Sequence, residues 1–148
     1  MEIKETSAAG IEALIQREGL ILHPYLDTVG VPTIGVGNTY YEDGRKVSLK
    51  DPAITKARAI ELFKYILKQY ELAVYSTTRD DINQNQFDSL VSLTYNIGIN
   101  AFKNSTLLKR INATAATIDI EKAFMMWSKP KEIIGRRKTE VKQYFTGI

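Results

Sequence analysis

The chain has 148 residues, 44% of them hydrophobic and 25% charged, which suffices for one compact domain and is too short for two independent ones. It contains no cysteine, which excludes disulfide bonds and thiol catalysis, and its single histidine, His23, excludes zinc sites built from several imidazoles. The net charge of +3 is carried by the second half, where residues 75–148 hold eleven Lys and Arg against seven Asp and Glu. The chemistry left open is that of carboxylates and hydroxyls, and we expect no metal and no cofactor.

The first predicted element is a short helix over residues 7–19. Ser7 can cap its start, and apolar residues recur along one helical stripe. Gly19 is the type of residue that ends a helix. The sequence therefore predicts a helix that stops directly after Glu18.

Residues 20–47 change to short apolar runs that are broken by prolines and glycines. This pattern is typical of a small antiparallel sheet with tight turns. Asp43-Gly44 indicates a hairpin. Pro24 cannot donate a hydrogen bond to a neighbouring strand, so we expect it at an edge or a bulge.

The rest of the chain is predicted to be helical. Thr55 is expected to cap a helix of about 20 residues, a rod of roughly 30 Å that could link two lobes. Asn83 and Ser105 are expected to cap two further helices, and two more are predicted around residues 120–127 and 136–145. The predicted fold class is α+β, mostly helical, with a small three-stranded antiparallel sheet after the first helix.

Three residues around the start of the sheet could carry chemistry. Glu18 lies at the end of a helix, where unpaired carbonyls and the helix dipole favour a carboxyl that keeps its proton for donation. Asp27 and Thr33 flank a turn that should bring them together. One protonated carboxyl, one carboxylate and one hydroxyl suffice to hydrolyse a glycosidic bond with an activated water. Taken singly, each residue also has an ordinary explanation as a helix end, a turn former or a strand residue.

The spacing of these residues resembles a known family. Glu18 is followed after eight residues by Asp27, after five more by Thr33, and then by Ile-Gly-Val-Gly. This segment is similar to the catalytic segment of phage-type lysozymes, glycoside hydrolase family 24. The resemblance continues through residues 84–112 and 127–147, so it covers nearly the whole chain in the same order.

The resemblance implies a single lysozyme-like domain over residues 1–148. A sheet-containing lobe would occupy about 12–55, and a helical lobe that includes the linking helix would occupy 56–148. The implied enzyme is a muramidase of the endolysin type, which hydrolyses the β-1,4 bond between N-acetylmuramic acid and N-acetylglucosamine in bacterial peptidoglycan and so lyses the host cell.

The resemblance also implies a role for each candidate residue. Glu18 would protonate the glycosidic oxygen, Asp27 would act on the opposite side, and Thr33 would hold the attacking water. A hydroxyl beside the second carboxylate makes sense only if water sits there, so we expect inversion of the anomeric configuration. The two carboxyl groups of an inverting enzyme lie about 6.5–9.5 Å apart.

Further site residues are implied by the resemblance alone. Thr39, Tyr95 and Ser105 would line a sugar-binding cleft. Arg137, or its neighbour Arg136, would approach the catalytic acid from the C-terminal lobe. Ordinary explanations stay open, since Tyr95 could pack in the core and Ser105 could only cap a helix.

One position departs from the family pattern. Many relatives have His after the second glycine of the sheet, where this chain has Asn38. That His is not one of the three catalytic groups, so we expect altered hydrogen bonding near the cleft and no loss of activity. His23 lies on a different segment and cannot replace it.

A basic cluster near the C-terminus favours a polyanionic partner, unless it is merely a solvated helix face. It consists of Lys129, Lys131, Arg136, Arg137 and Lys138. Neither a helix-turn-helix signature nor an aromatic strand surface accompanies it, and the glycines of Gly35-Val36-Gly37 do not form a phosphate loop. An anionic cell wall is therefore a better partner than nucleic acid.

We expect a monomer that acts on bacterial peptidoglycan, without nucleic acid binding and without stable membrane insertion. The first residues lack the features of a signal peptide, and no stretch reaches the ~18 apolar residues of a membrane span. The expected location is the host bacterial cytoplasm, and the resemblance implies release to the wall through a separate membrane-permeabilising protein. The alternative function is a non-catalytic wall-binding module of the same fold.

Overall fold

The computed structural model describes residues 2–147, which form seven α-helices, one short 3-10 helix and two strands. The helices are α1 (Ala8–Glu18), α2 (Lys56–Thr77), α3 (Gln84–Ile97), α4 (Ile99–Lys103), α5 (Thr106–Asn112), α6 (Thr117–Met125) and α7 (Ile134–Thr146), with the 3-10 helix at Lys131–Ile133. The strands are β1 (Ile21–Leu26) and β2 (Pro32–Gly35). The predicted α+β class is confirmed.

The chain divides into two compact units. The first, Ile11–Lys68, contains both strands and is called the sheet unit. The second combines the residues before 11 with those after 68 and is called the helical unit. Helices α1 and α2 each contribute residues to both.

The two strands pair in an antiparallel hairpin. Tyr25 on β1 is the partner of Thr33 on β2. The register shifts between Ile21 and Tyr25, the interval that holds Pro24. A proline cannot donate to the ladder, so this irregularity agrees with the prediction of an edge or a bulge at Pro24.

The turn between the strands is closed by its own backbone. Asp27 N–H donates to the Val31 carbonyl at 3.0 Å, and Gly30 N–H donates to the Asp27 carbonyl at 3.0 Å. Gly30 has a φ of 82°. A three-residue hairpin loop needs this left-handed conformation, which glycine adopts without steric cost.

The prediction of three strands is wrong, because residues 2–147 form only a two-stranded sheet. The chain reverses directly after β2, where Gly35 has a φ of 69°. Ile34 and Asn38 therefore exchange two backbone hydrogen bonds of 2.9 Å. Beyond this turn the pairing is a single bridge between Tyr40 and Lys46, which is too short to count as a strand.

The turn predicted at Asp43-Gly44 is confirmed, since Gly44 N–H donates to the Tyr41 carbonyl at 3.0 Å. An ion pair ties this turn to α2. Both terminal nitrogens of Arg58 bond to the Glu42 carboxylate, at 2.6 and 2.7 Å. These hydrogen bonds lower the pKa of Glu42 to about 2. The loop after the sheet is therefore fixed both by its own turn and by the helix.

The sheet unit has a small apolar core beneath this loop. The buried cluster consists of Ile34, Tyr41, Val47 and Leu62, with Ile54 packed against it. Its members come from β2, the loop and α2. Burial of these side chains holds the hairpin against the helix, since removing apolar surface from water is the main stabilising term of a fold.

The predicted helix starts are confirmed. The side chains of Ser7, Thr55, Asn83 and Ser105 each accept a hydrogen bond from the backbone N–H three residues on, at 2.9–3.1 Å. At Asn83 the bond is reciprocal, because Gln86 accepts from the Asn83 backbone and completes a capping box. These local contacts satisfy N–H groups that a helix start leaves unpaired.

The helical unit is organised around α3, whose residues 87–94 are all buried. Helices α4 and α7 both pack against α3. Glu140 of α7 is completely buried and accepts hydrogen bonds from Arg137 Nη1, from Arg136 Nε at 3.2 Å and from Ser92 Oγ at 2.5 Å. The two helices are thus joined by a buried ionic network as well as by apolar contacts.

Candidate active site

The three candidate catalytic residues all lie in the sheet unit. Glu18 is the last residue of α1, as predicted, and its side chain is exposed. Gly19 ends the helix with a φ of 87° and donates its N–H to the Ile15 carbonyl at 2.8 Å. The helix therefore ends in an exposed carboxyl group, separated from β1 by Gly19 and Leu20.

Asp27 stands at the end of β1 and builds the hairpin turn. Its Oδ1 accepts hydrogen bonds from the backbone N–H groups of Val29 and Val31, both at 2.9 Å. The ordinary reading of Asp27 as a turn former is thus confirmed. Among the described residues, none donates to Asp27 Oδ2. Asp27 therefore shapes the turn through one carboxylate oxygen.

Thr33 lies on β2 with 3% of its surface exposed. Its hydroxyl donates to the Val31 carbonyl at 2.8 Å, so the oxygen can still accept a hydrogen bond. Thr33 pairs with Tyr25, and Asp27 follows Tyr25 by two residues. Paired residues, and residues two apart on a strand, share a face of a sheet. Asp27 lies one residue beyond the end of β1, and from this register we expect its side chain to share a face of the hairpin with Thr33.

A small pocket borders this hairpin within the sheet unit. Its volume is about 260 Å³, and it is lined by Val31, Pro32, Thr39, Tyr40, Gly44, Lys46 and Val47. Val31 and Pro32 belong to the turn and strand that carry the candidate site, and Thr39 is the sugar-binding residue implied by the resemblance. The other lining residues had no signal in the sequence, because they are drawn from two separate stretches of chain.

Tyr95 and Ser105 lie in the helical unit, and their structural roles are clear. The Tyr95 ring packs edge-on against Tyr70, with centroids 5.1 Å apart. Ser105 is 4% exposed, and besides capping α5 it donates its hydroxyl to the Phe102 carbonyl at 2.7 Å. The capping explanation of Ser105 is confirmed. The sugar-binding roles of both residues stay predictions.

Arg137 is buried within the helical unit and bonds through each of its three nitrogens. Nε donates to the Trp127 carbonyl at 2.7 Å, while Nη1 and Nη2 donate to Glu140 and Asn96. This structural role was not foreseen, although an arginine three residues before a glutamate on one helix is a recognised pairing signal. Support of Glu18 by Arg137 stays a prediction.

Asn38, the departure from the family pattern, is enclosed beside the hairpin with 3% of its surface exposed. Neither its side-chain oxygen nor its nitrogen is hydrogen-bonded to a described residue. Buried amides are normally bonded, so this side chain is an unusual feature of the unit. The effect of Asn38 on hydrogen bonding near the cleft stays a prediction.

Residues 2–147 contain neither a cluster of metal ligands nor a helix suited to crossing a membrane. Groups of three or more His, Cys, Asp or Glu side chains placed to hold a metal ion do not occur in this range. Over the same residues, every helix falls short of the length and hydropathy needed to cross a bilayer.

Known proteins resemble this chain over most of its length. The phage lysozyme family matches residues 15–140. The endolysin of Salmonella phage P22 is 39% identical over 140 residues, which cover 92% of this chain and 94% of that protein. A crystal structure of a P22 lysozyme mutant is similar with a TM-score of 0.89 and 36% identity, covering 97% of this chain and 100% of that one. The endolysin from Escherichia coli O157:H7 phage FAHEc1 is similar with a TM-score of 0.91 and 31% identity, covering 100% of this chain and 97% of that one.

The chain belongs to the phage lysozyme family. The matched range contains Glu18, Asp27 and Thr33. Membership confirms the family resemblance inferred from the sequence and the enzyme class expected from it, a glycoside hydrolase that acts on peptidoglycan.

Proposed function

We propose that this lysozyme cleaves the β-1,4 bond between N-acetylmuramic acid and N-acetylglucosamine, and that it serves as an endolysin against the wall of a host bacterium. Glu18 donates a proton to the glycosidic oxygen, while Asp27 and Thr33 hold the water that attacks the sugar. The observation that carries the proposal is the strand register, in which Thr33 is the partner of Tyr25 and Asp27 follows directly after the strand. Family membership supports the endolysin role.

The bonding of Asp27 and Thr33 suits one water molecule. Oδ2 of Asp27 is an acceptor that no described residue occupies, and the Thr33 oxygen is an acceptor because its own proton goes to Val31. A water that donates one hydrogen to each of them keeps a lone pair for the anomeric carbon. As the new C–O bond forms, Asp27 takes the water's proton and Glu18 gives its proton to the leaving oxygen.

This arrangement leads us to propose inversion. A water between the second carboxylate and the sugar attacks from the face opposite to the leaving group, and the product carries the configuration opposite to that of the substrate. A retaining enzyme would instead bring its carboxylate to about 5–5.5 Å from the acid. We expect the Glu18 and Asp27 carboxyl groups to keep about 6.5–9.5 Å between them when substrate is bound, with Thr33 facing the gap.

The proposal includes further substrate contacts. Thr39, which lines the pocket beside the hairpin, contacts the sugar together with Tyr95 and Ser105. Ser105 would act as an acceptor, since its hydroxyl proton is already bonded to a backbone carbonyl. Arg137 supports Glu18. We also propose that the protein is a monomer without nucleic acid binding, and that it stays in the host cytoplasm until a separate protein permeabilises the membrane.

The test replaces Glu18 by glutamine, which keeps the shape and cannot donate a proton. General acid catalysis contributes about 10²- to 10⁴-fold, so we expect E18Q to lose activity by that factor on permeabilised bacteria, measured as clearing of turbidity. E12Q, a change on the same helix, is the matched control and should clear normally. Circular dichroism checks the fold, and mass analysis of the digest identifies the bond cut.

The outcomes separate the parts of the proposal. Substantial clearing by a folded E18Q protein would remove Glu18 from the mechanism. Products without added water would exclude hydrolysis. Wild-type expression that lyses intact host cells before any permeabilisation would contradict the proposed route of release.

A further inference from the structure

The 260 Å³ pocket beside the hairpin is lined, apart from Thr39, by residues to which the proposed function gives no role in cleavage or sugar binding. Val31 and Tyr40 give it an apolar wall, and both are partly exposed, at 39% and 38%. Val47 is buried beneath them. Lys46 is the cation among the pocket's lining residues. The pocket therefore joins small apolar surfaces to one positive charge.

Lys46 differs from the other cations of this loop. Arg45 stacks over the Tyr41 ring at 4.3 Å and pairs with Asp51 at 3.3 Å. Arg58 is held by the Glu42 carboxylate. Lys46 forms no ion pair with any described residue, and its side chain is exposed. Its charge is therefore available to a ligand, whereas the two arginines are already matched.

The neighbouring pocket shows why this difference matters. It measures about 410 Å³, and its lining includes Arg45, Arg58 and Glu42. An anion that entered it would have to displace a carboxylate from an arginine. No such competition exists at Lys46, so the smaller pocket is the better site for a ligand carboxylate.

We infer that the Lys46 pocket binds the acidic peptide stem that the muramic acid carries, with Lys46 paired to a stem carboxylate and Val31 and Tyr40 against its small apolar side chains. The inference rests on the proposed function. The two sugars that flank the cleaved bond offer no free carboxylate once the stem is attached, so a cation here fits the stem better than the glycan.

The position and the size of the pocket support this occupant. Val31 lines the pocket and donates its N–H to the Asp27 carboxylate, so one residue of the pocket wall directly contacts a residue of the proposed water site. The stem is attached to one of the two sugars at the cleaved bond, which fits a pocket at this position. Ligand pockets usually measure about 300–1,000 Å³, so this volume suits a short part of a peptide and not a whole muropeptide.

The test separates the stem charge from the rest of the substrate. Peptidoglycan strands are prepared with free stem carboxylates and, in parallel, with those carboxylates converted to amides. Wild-type protein is compared with K46Q, K46E and the control K50Q, which changes another exposed lysine of the same loop. The measured quantity is kcat/KM for release of reducing ends.

On strands with free carboxylates, we expect K46Q to lose about fivefold in kcat/KM and K46E to lose more, while K50Q stays at the wild-type value. On amidated strands the wild type and K46Q should be equal. Equal activity of wild type and K46Q on both substrates, or the same loss on both, would overturn the inference. Wild-type protein that cleaves neither substrate would instead refute the proposed function, so the two failures are distinguishable.

Discussion

By sequence Thr33 is an ordinary strand residue, and the bonding of its hydroxyl is the basis of the role that we propose for it. Burial and the bond to the Val31 carbonyl fix the direction of its proton. Asp27 is similar, because one of its carboxylate oxygens accepts hydrogen bonds from the backbone of the turn. In both residues the backbone of the hairpin uses one polar function and leaves another for the water molecule that we propose.

Replacing Thr33 by valine keeps the branched shape and removes the oxygen, whereas serine keeps the oxygen. We expect T33V to lower kcat by about 10- to 100-fold, because a hydrogen bond in a charged transition state contributes about 1.5–3 kcal/mol. T33S should retain most of the activity. Activity is measured on glycan strands, and thermal melting confirms that both variants fold. A T33V protein with wild-type kcat would contradict the role of Thr33 in holding water.

The contact between α3 and α7 depends on a carboxylate that is fully enclosed. Glu140 is 0% exposed and bonds to two arginines of its own helix and to Ser92 of α3. Arg136 also reaches the Ser92 carbonyl at 3.1 Å. Removing one member of such a group leaves the others buried and charged, which is costly.

We expect E140Q to lower the free energy of unfolding by about 3–5 kcal/mol, the range found when one partner of a buried ion pair is lost. K138Q is the matched control on the same helix, since Lys138 is exposed and forms no ion pair with a described residue. Its effect should stay within about 0.5 kcal/mol. Urea unfolding measures both. An E140Q protein as stable as K138Q would show that the network does not hold the helices together.

Helices and strands could be predicted from the sequence where the residues that determine them lie close together in the chain. Helix caps such as Asn83 act over three residues, so the sequence alone locates them. Strand number depends on how turns direct the chain, and the reversal at Gly35 converts an expected third strand into single bridges. Helix α4 has five residues, which is too few for a helical periodicity to be read.

At the scale of the molecule, the basic cluster near the C-terminus presents fewer exposed charges than the sequence suggests. Arg136 and Arg137 are paired to Glu140. Lys129, Lys131 and Lys138 are exposed, and no described residue forms an ion pair with them. A run of charges does not reveal which members are buried, because the neutralising carboxylate is recognised only when the helix is packed.

The family and the reaction class could be predicted because the spacing of Glu18, Asp27 and Thr33 is specific. The Lys46 pocket could not, since its walls come from separate stretches that only the turns bring together. The same holds for the pairing of Tyr25 with Thr33, which depends on the strand register. The sequence identifies the chemical groups, whereas the fold determines which of their atoms are already hydrogen-bonded within the protein.

The central claim is that water, held by Asp27 and Thr33, attacks the sugar directly. Proton NMR of reducing ends during cleavage by wild-type protein tests it, because the anomer formed first is seen before mutarotation. Direct displacement of a β-linked sugar predicts the α-anomer first. Appearance of the β-anomer first would mean retention through a covalent or equivalent intermediate, and it would contradict the proposed water site while leaving the lysozyme family unchanged.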